Sequence, residues 1–389
     1  MKVLWLCSWY PNKLKPFDGD FIQRHAQAVS LLHEIHTIHI VKNEAHTLLE
    51  LVPEETTTTG NLTETVIYYR PVKTGISLLD RLLSAKKYNQ LFRSATTKYL
   101  LANEDCKLIH VHVAMKAGMI ALWAKRKYGI PYIISEHWTG FLPEAKPNIN
   151  HRSIHWKRRL RKVLDNANLI TCVSNVLATA IKHYGNRAKI EVVPNVVDTN
   201  IFYPVGKLAH DATQFIHIST MTYQKNVETI LEAAYTVKKS NRHFILRLFV
   251  PTLDEIKMLI KKHKLEDVVE VHMEVNQSDL AKFIQQSDAL ILYSRYETFG
   301  CVVIEANACG VPAILSDLEV FKEYCVNGFN AIMVPGDDAK ELSKSMISFI
   351  DHQWHFDSKA IARTTSERFS YKVIAGKFDD IYHRIGLLN

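Results

Sequence analysis

The sequence contains no CxxC pair, no GxxxxGK(S/T), no HExxH and no GxSxG. These absences set aside a paired-cysteine metal or redox site, a P-loop phosphotransferase, a zinc-protease helix and a hydrolase nucleophile elbow. No GxGxxG follows the first apolar run, so a dehydrogenase of the dinucleotide-binding type fits poorly. No uncharged stretch approaches the roughly 20 residues that span a bilayer. The opening MKVLWLCSWYP has one lysine and no convincing cleavage site, and it reads as a first strand rather than a signal peptide. The six cysteines, Cys7, Cys106, Cys172, Cys301, Cys309 and Cys325, sit mostly inside apolar runs. That is the usage of reduced, buried thiols in a reducing compartment, not of a disulfide scaffold. Histidines and acids form no cluster of familiar metal-ligand spacing. Gly336-Asp337-Asp338 follows a proline and opens a helical pattern, so it reads as a cap. What is present is a 389-residue chain, 47% apolar and 23% charged, long enough for two domains. Its formal charge of +8 favours anionic partners without choosing among nucleotide sugars, acidic lipids and nucleic acid. The basic residues form no recognisable nucleic-acid motif, so nucleic acid is not the expected partner.

Strand and helix patterns alternate along the whole chain. Strands are expected over 2–8, 35–41, 66–70, 108–113, 131–135, 169–173 and 189–193. Between them lie helices over 20–32, 78–101, 116–128, 154–166 and 175–183, and a threonine-rich connector at 56–59. The alternation pauses at 194–211, which carries Pro194, Pro204 and Gly206 and reads as an interdomain linker. It restarts with strands over 214–219, 244–249, 268–272 and 289–293 and helices over 226–238, 254–263 and 278–285. Later helices are expected over 338–349 and 369–385. Such alternation predicts parallel sheets covered by helices on both faces.

One stretch concentrates chemistry. Residues 294–312, SRYETFGCVVIEANACGVP, follow the apolar run 289–293 and precede another, VPAIL. A strand therefore ends in a polar loop and a helix begins, which is where ligands sit in open α/β sheets. Gly300 allows close backbone approach, and the free N–H groups of the following helix can receive a phosphate. Glu297 and Glu305 would repel a phosphate but accept hydrogen bonds from vicinal hydroxyls, which points to a phosphorylated sugar or a nucleotide sugar. An ordinary strand–loop–helix unit with surface acids satisfies the same spacing.

Three further stretches stand out. The loop 11–19 places Gly19 before Asp20 and a helix, which suits an anion or sugar contact or a plain loop. Ser135-Glu136-His137-Trp138-Thr139-Gly140 follows a strand, and His137 stands where catalytic groups often emerge, although it is one of nineteen histidines. The segment 151–162, HRSIHWKRRLRK, gathers basic residues and Trp156 on one helix, which suits either an anionic lipid surface or a solvated face.

Taken together these segments resemble retaining glycosyltransferases of family 4, which adopt the GT-B fold. The resemblance covers nearly the whole chain. Its strongest part is YETFGCVVIEANACGVP, in which Glu297 and Glu305 match the family's pair of glutamates separated by seven residues. VPNVVDTNIF at 193–202 resembles the family's linker motif, with Val196 where glycine usually stands. The resemblance implies an α/β fold of two Rossmann-like parallel-sheet domains facing across a cleft. It implies an acceptor-side domain over 1–200, a nucleotide-sugar-binding domain over 205–365, and a last segment, 366–389, whose helix crosses back onto the first domain. It implies that Glu297 contacts hydroxyls of the transferred sugar and Glu305 holds the ribose. Phe299, Gly300 and Cys301 present backbone N–H groups, His137 touches the donor sugar, and Gly19 and Asp20 border the diphosphate and acceptor. Lys225 matches the lysine that neutralises the diphosphate, and Glu323 a glutamate after the next strand. An arginine usual before that lysine is missing from Ile218-Ser219-Thr220-Met221, which leaves Lys225 and Arg295 to neutralise charge. A glycine pair usual after the strand at 313–315 is missing too, with Leu318, Glu319 and Val320 in its region.

The implied reaction moves a hexose-type sugar from a nucleotide-diphosphate sugar to a saccharide or lipid-linked acceptor, without a required metal or other cofactor, in the cytoplasm. The basic and apolar groups around 78–101 and 154–166 add the expectation that this face meets the anionic inner surface of a membrane. A nucleotide-sugar epimerase on the same fold, or a non-catalytic sugar- or membrane-binding partner, would share most of these residues.

Overall fold

A computed structural model describes residues 1–44, 53–184, 187–206 and 210–386. Part of the expected linker, 207–209, lies outside the described residues.

The first part of the chain builds a sheet from β1 (Lys2–Cys7), β2 (Glu34–Lys42), β3 (Glu54–Thr59), β4 (Leu62–Tyr69), β5 (Leu108–His112), β6 (Tyr132–Glu136), β7 (Leu169–Cys172) and β8 (Ile190–Val192). Their order is β3-β4-β2-β1-β5-β6-β7-β8, parallel except for β3. Crossovers run through α1 (Asp20–Val29), α2 (Ser77–Ala102), α3 (Ala117–Tyr128), α4 (Ile154–Asn166) and α5 (Asn175–Lys182). The inner strands are apolar runs because helices cover both faces, as in β1, where Val3 to Cys7 are all fully buried.

A second sheet follows from β9 (Thr213–Ile218), β10 (Phe244–Val250), β11 (Val269–Met273), β12 (Ala289–Leu292), β13 (Ala313–Ser316) and β14 (Ala331–Val334). Its order is β11-β10-β9-β12-β13-β14, all parallel. The helices are α6 (Val227–Lys239), α7 (Asp254–Lys262), α8 (Gln277–Gln285), α9 (Cys301–Ala308), α10 (Glu319–Lys322), α11 (Ala339–Ile350), α12 (Ser358–Phe369) and α13 (Tyr371–Gly386). The two sheets form two Rossmann-like domains of a GT-B fold, facing each other across a cleft.

The chain passes between the domains twice, and the passages touch: Val197 N donates to Phe369 O at 2.9 Å, beside the break between α12 and α13. α13 then lies against α1 and buries Ile374, Phe378, Ile381 and Tyr382. Its end is tied down by Arg384, which forks onto Glu191 at 2.9 and 2.7 Å.

Residues 56–59 are not a connector. They belong to β3, the antiparallel edge strand. Consecutive threonines suit a pleated edge, because the β-branched side chains fit the strand while their hydroxyls stay wet. The patterns also leave out β14, α10 and α12, and they run α1 three residues too far.

Candidate functional site

The described residues enclose several sizeable hollows, and size does not select among them. One of about 440 Å³ beside β2 and α2 and one of about 760 Å³ around 210–213, 240–243 and 349–358 lie toward the amino ends of their strands. A third, of about 380 Å³, lies between the domains at the carboxyl ends of β9, β10 and β11 and under the loop after β12. β9 and β12 are neighbours in the sheet on either side of its topological switch, where ligands of open α/β sheets bind. Side chains of both domains converge there.

The wall from the second domain is built by the segment 294–305. β12 ends at Leu292, and Ser316 Oγ on β13 pins the loop by donating to Ser294 O at 2.7 Å. Ser294 Oγ donates to Glu297 Oε1 at 2.9 Å, and Lys225 Nζ reaches the same oxygen at 2.5 Å. Glu297 is buried and lines the cavity. The backbone then turns at Gly300, at φ 87°, where a Cβ would stand 2.9 Å from the Phe321 ring. That turn starts α9 with no side chain capping it, so its first N–H groups face the cavity beside Gly300, Cys301 and Val302. Burial pushes the Cys301 thiol up to about 12, so it stays protonated at neutral pH.

The wall from the first domain comes from α1 and the loop after β6. Gly19 adopts φ 71°, and a Cβ there would lie 2.8 Å from the Trp9 backbone carbon, so both the turn and the close approach call for glycine. From that cap, α1 aims Asp20, Phe21 and Arg24 into the cavity. Arg24 is buried and forms a close ion pair with Glu305 of α9, while its Nη2 donates to Asp20 at 3.2 Å. Burial opposes the Arg24 charge, but Asp20 and Glu305 bind its proton more tightly than usual. Burial raises the Glu305 pKa, and Arg24 offsets only part of this. His137 follows β6, held by its N–H on Glu136 Oε1 at 3.0 Å. Both its ring nitrogens are buried without a protein partner, and its pKa lies well below the ordinary value, first through burial and then through nearby His25. It is a neutral imidazole with two free polar atoms, one donor and one acceptor.

The cavity thus gathers Asp20, His137, Lys225, Glu297, Phe299, Gly300, Cys301 and Glu305. Three other expected residues lie outside its lining. Gly19 acts behind it as the α1 cap. Arg295 stacks over Tyr223 at 4.3 Å, donates to the Tyr223 carbonyl and pairs with Asp337 at 3.2 Å. Glu323 reaches across the domains to the start of α5, accepting from the N–H groups of Asn175 and Val176 at 2.9 and 3.0 Å. Sequence reasoning missed Arg24, Asn195, Glu274 and Gln277, which also line the cavity. Arg24 follows Asp20 by four residues on α1, the spacing that places both on one helix face. Glu274 and Gln277 follow β11, and the carboxyl end of any strand in such a sheet could have been searched for them. Among the described residues, no group of three or more His, Cys, Asp or Glu side chains is disposed to hold a metal ion, and no helix is long and apolar enough to cross a membrane.

Two family models match successive parts of the chain: "Glycosyltransferase Family 4" over residues 45–201 and "Glycosyl transferases group 1" over residues 198–367. Among curated relatives, the N-acetyl-alpha-D-glucosaminyl L-malate synthase of Bacillus anthracis is 25% identical over 302 residues, covering 72% of this chain and 76% of the relative. The sucrose-phosphate synthase of Thermosynechococcus elongatus superposes with a TM-score of 0.79 at 16% identity, over 100% of both chains. Anabaena HepE in complex with UDP-glucose superposes with a TM-score of 0.69 at 18% identity, over 99% of this chain and 100% of that one. At these identities the structural likeness speaks for the fold.

Proposed function

We propose that this chain is a glycosyltransferase of the GT-B superfamily, as the two family models support, and that it transfers a hexose-type sugar from a nucleotide-diphosphate sugar to a saccharide or lipid-linked acceptor, with retention at the anomeric carbon. The observation that carries the reading is the convergence of Lys225, Glu297, Glu305, the neutral His137 and the uncapped start of α9 in one interdomain cavity. Glu297, oriented by Ser294 and Lys225, accepts hydroxyls of the donor sugar. Glu305 accepts the ribose hydroxyls. Lys225 and the N–H groups of Gly300 and Cys301 hold the diphosphate. The fit to a nucleotide sugar agrees with the UDP-glucose complex of HepE.

In the transfer step the bond from the anomeric carbon to the diphosphate oxygen breaks, and its electron pair stays on the diphosphate. Negative charge grows there, and Lys225 and the α9 dipole stabilise it. An acceptor hydroxyl forms the new bond on the same face, and its proton passes to the leaving phosphate oxygen. No protein nucleophile is needed. Closing the cleft over a bound donor would exclude water and protect the donor from hydrolysis, and cross-domain contacts favour that closure. One is Thr298 Oγ1 donating to His137 O at 3.3 Å.

The acceptor side belongs to the first domain and meets the anionic cytoplasmic face of a membrane. Support comes from the start of α2, where Leu78 and Leu82 are 68% and 61% exposed beside Arg81 and Lys86, and from the basic exposed face of α4. Flotation with anionic liposomes tests this part, and failure to bind at low salt counts against it.

The function as a whole is tested by screening UDP-, GDP- and ADP-sugars by thermal shift, each with and without saccharide or lipid-linked acceptors, and reading products by mass spectrometry and NMR. One donor is expected to raise Tm and to yield a glycoside with the donor's anomeric configuration. An isomerised sugar formed without acceptor would replace the transferase reading with an epimerase.

A further inference from the structure

The cavity has a charge problem. Among the described residues its lining carries four carboxylates, Asp20, Glu274, Glu297 and Glu305, against two cations, Arg24 and Lys225. The diphosphate of a nucleotide sugar adds a negative charge on each phosphate at neutral pH. Lys225 is already held by Glu297 at 2.5 Å. The segment 218–221 before it contains no arginine. Arg295, the other basic residue near this loop, lies outside the cavity lining, with its two terminal nitrogens held by the Tyr223 carbonyl and Asp337.

Resting on the nucleotide-sugar reading, we infer that Arg24 supplies the second cation for the donor diphosphate from the opposite domain, and that its ion pair with Glu305 is the donor-free resting contact. Three observations support this. Arg24 reaches across from the first-domain wall to Glu305 of α9, one helical turn after Cys301, and its charge acts on Cys301, so its guanidinium lies near the helix start that would receive phosphate. Its Nε is buried with no partner, although Arg24 is 4% exposed, so a donor in a dry place still lacks an acceptor. Its present partner, Glu305, is the carboxylate that the ribose hydroxyls would engage. Donor binding then exchanges one set of partners for another: ribose takes Glu305, and the freed guanidinium takes the diphosphate in the forked geometry that suits phosphate oxygens. Because Arg24 stands on the first domain and Lys225 on the second, full neutralisation of the leaving group requires the cleft to be closed.

The experiment compares wild type, Arg24→Ala and Arg24→Lys by calorimetric titration with UDP, GDP and ADP and with the matching monophosphates. Circular dichroism and thermal melts check folding. For the base that wild type prefers, Arg24→Ala is expected to lower diphosphate affinity at least about tenfold and to narrow the gap between diphosphate and monophosphate; Arg24→Lys should recover part of the loss. A diphosphate bound by Arg24→Ala as tightly as by wild type, or more tightly, would overturn the inference and leave Arg24 a latch on Glu305. Should the alanine variant not fold, an unchanged diphosphate affinity in Arg24→Lys overturns it equally, because a single ammonium cannot reproduce the fork. A wild-type protein that binds none of the three diphosphates overturns the nucleotide-sugar reading itself, and this inference with it.

Discussion

Mild acid should unfold this protein, and histidines set the window. His25, His39 and His217 are buried, and burial pushes each pKa down from 6.5 to about 4. Their hydrogen bonds, to Asn195, to the Cys7 carbonyl and to the Ile291 carbonyl, offset only part of that shift. A depressed folded pKa means that the unfolded chain takes the proton first. The stability these groups provide is therefore whole above pH 6.5 and is lost as pH falls toward 4. For one such imidazole the loss between pH 7 and pH 5 is about 1.8 kcal/mol, so the three together lose about 5 kcal/mol. His110, His112 and His137, all held well below the ordinary value first by burial, add to it. Glu136 and Glu305 work the other way, because burial raises them and the folded state gains as they protonate. The loss of about 5 kcal/mol from His25, His39 and His217 alone is comparable with a whole domain's stability. Urea unfolding followed by circular dichroism at pH 7 and pH 5, at constant ionic strength, reads this directly. A urea midpoint that stays constant or rises at pH 5 would refute the assignment of neutral, desolvated imidazoles.

Further substitutions separate binding from structure. Glu297→Gln keeps an acceptor for Lys225 and should leave the melting temperature within a few degrees while lowering kcat at least about a hundredfold; unchanged turnover on a competent donor and acceptor would count against the hydroxyl-binding role. Lys225→Ala should weaken donor binding and slow transfer together, by about 2 kcal/mol or more in kcat/KM, read by titration and initial rates. Glu323→Ala removes the carboxylate that caps α5 from the other domain and should cost about 1 kcal/mol. Small-angle scattering should then show a wider donor-free cleft, and an unchanged profile and melt would show that the cap does not hold the domains together.

Much of the architecture was legible because parallel sheets write themselves as apolar runs between amphipathic helices. β12 and β13 on either side of α9 are such runs, and the polar loop between them carries Glu297 in one short reading frame. What escaped lacks that contrast. β3 is a threonine-rich edge, and polar edge strands resemble connectors. α12, SKAIARTTSERF, mixes threonine and serine into its helical face, and its cap, Asp357 accepting from Ala360 N at 3.0 Å, is one of many aspartates in the sequence. The site shows the same division. Side chains that share a loop with Glu297 could be found from spacing. Arg24 and Glu305 lie 281 residues apart, and only the meeting of the two domains reveals that they touch. The arginine missing from 218–221 was visible as an absence, whereas the guanidinium in the cavity was not.

A crystal structure with an intact nucleotide-diphosphate sugar bound would decide the matter. Sugar hydroxyls should lie on Glu297, diphosphate oxygens on Lys225 and the backbone N–H groups of Gly300 and Cys301, and the ribose on Glu305. A nucleotide bound instead in the hollow beside β2 and α2, with Lys225 still paired to Glu297 and Arg24 to Glu305, would contradict that assignment.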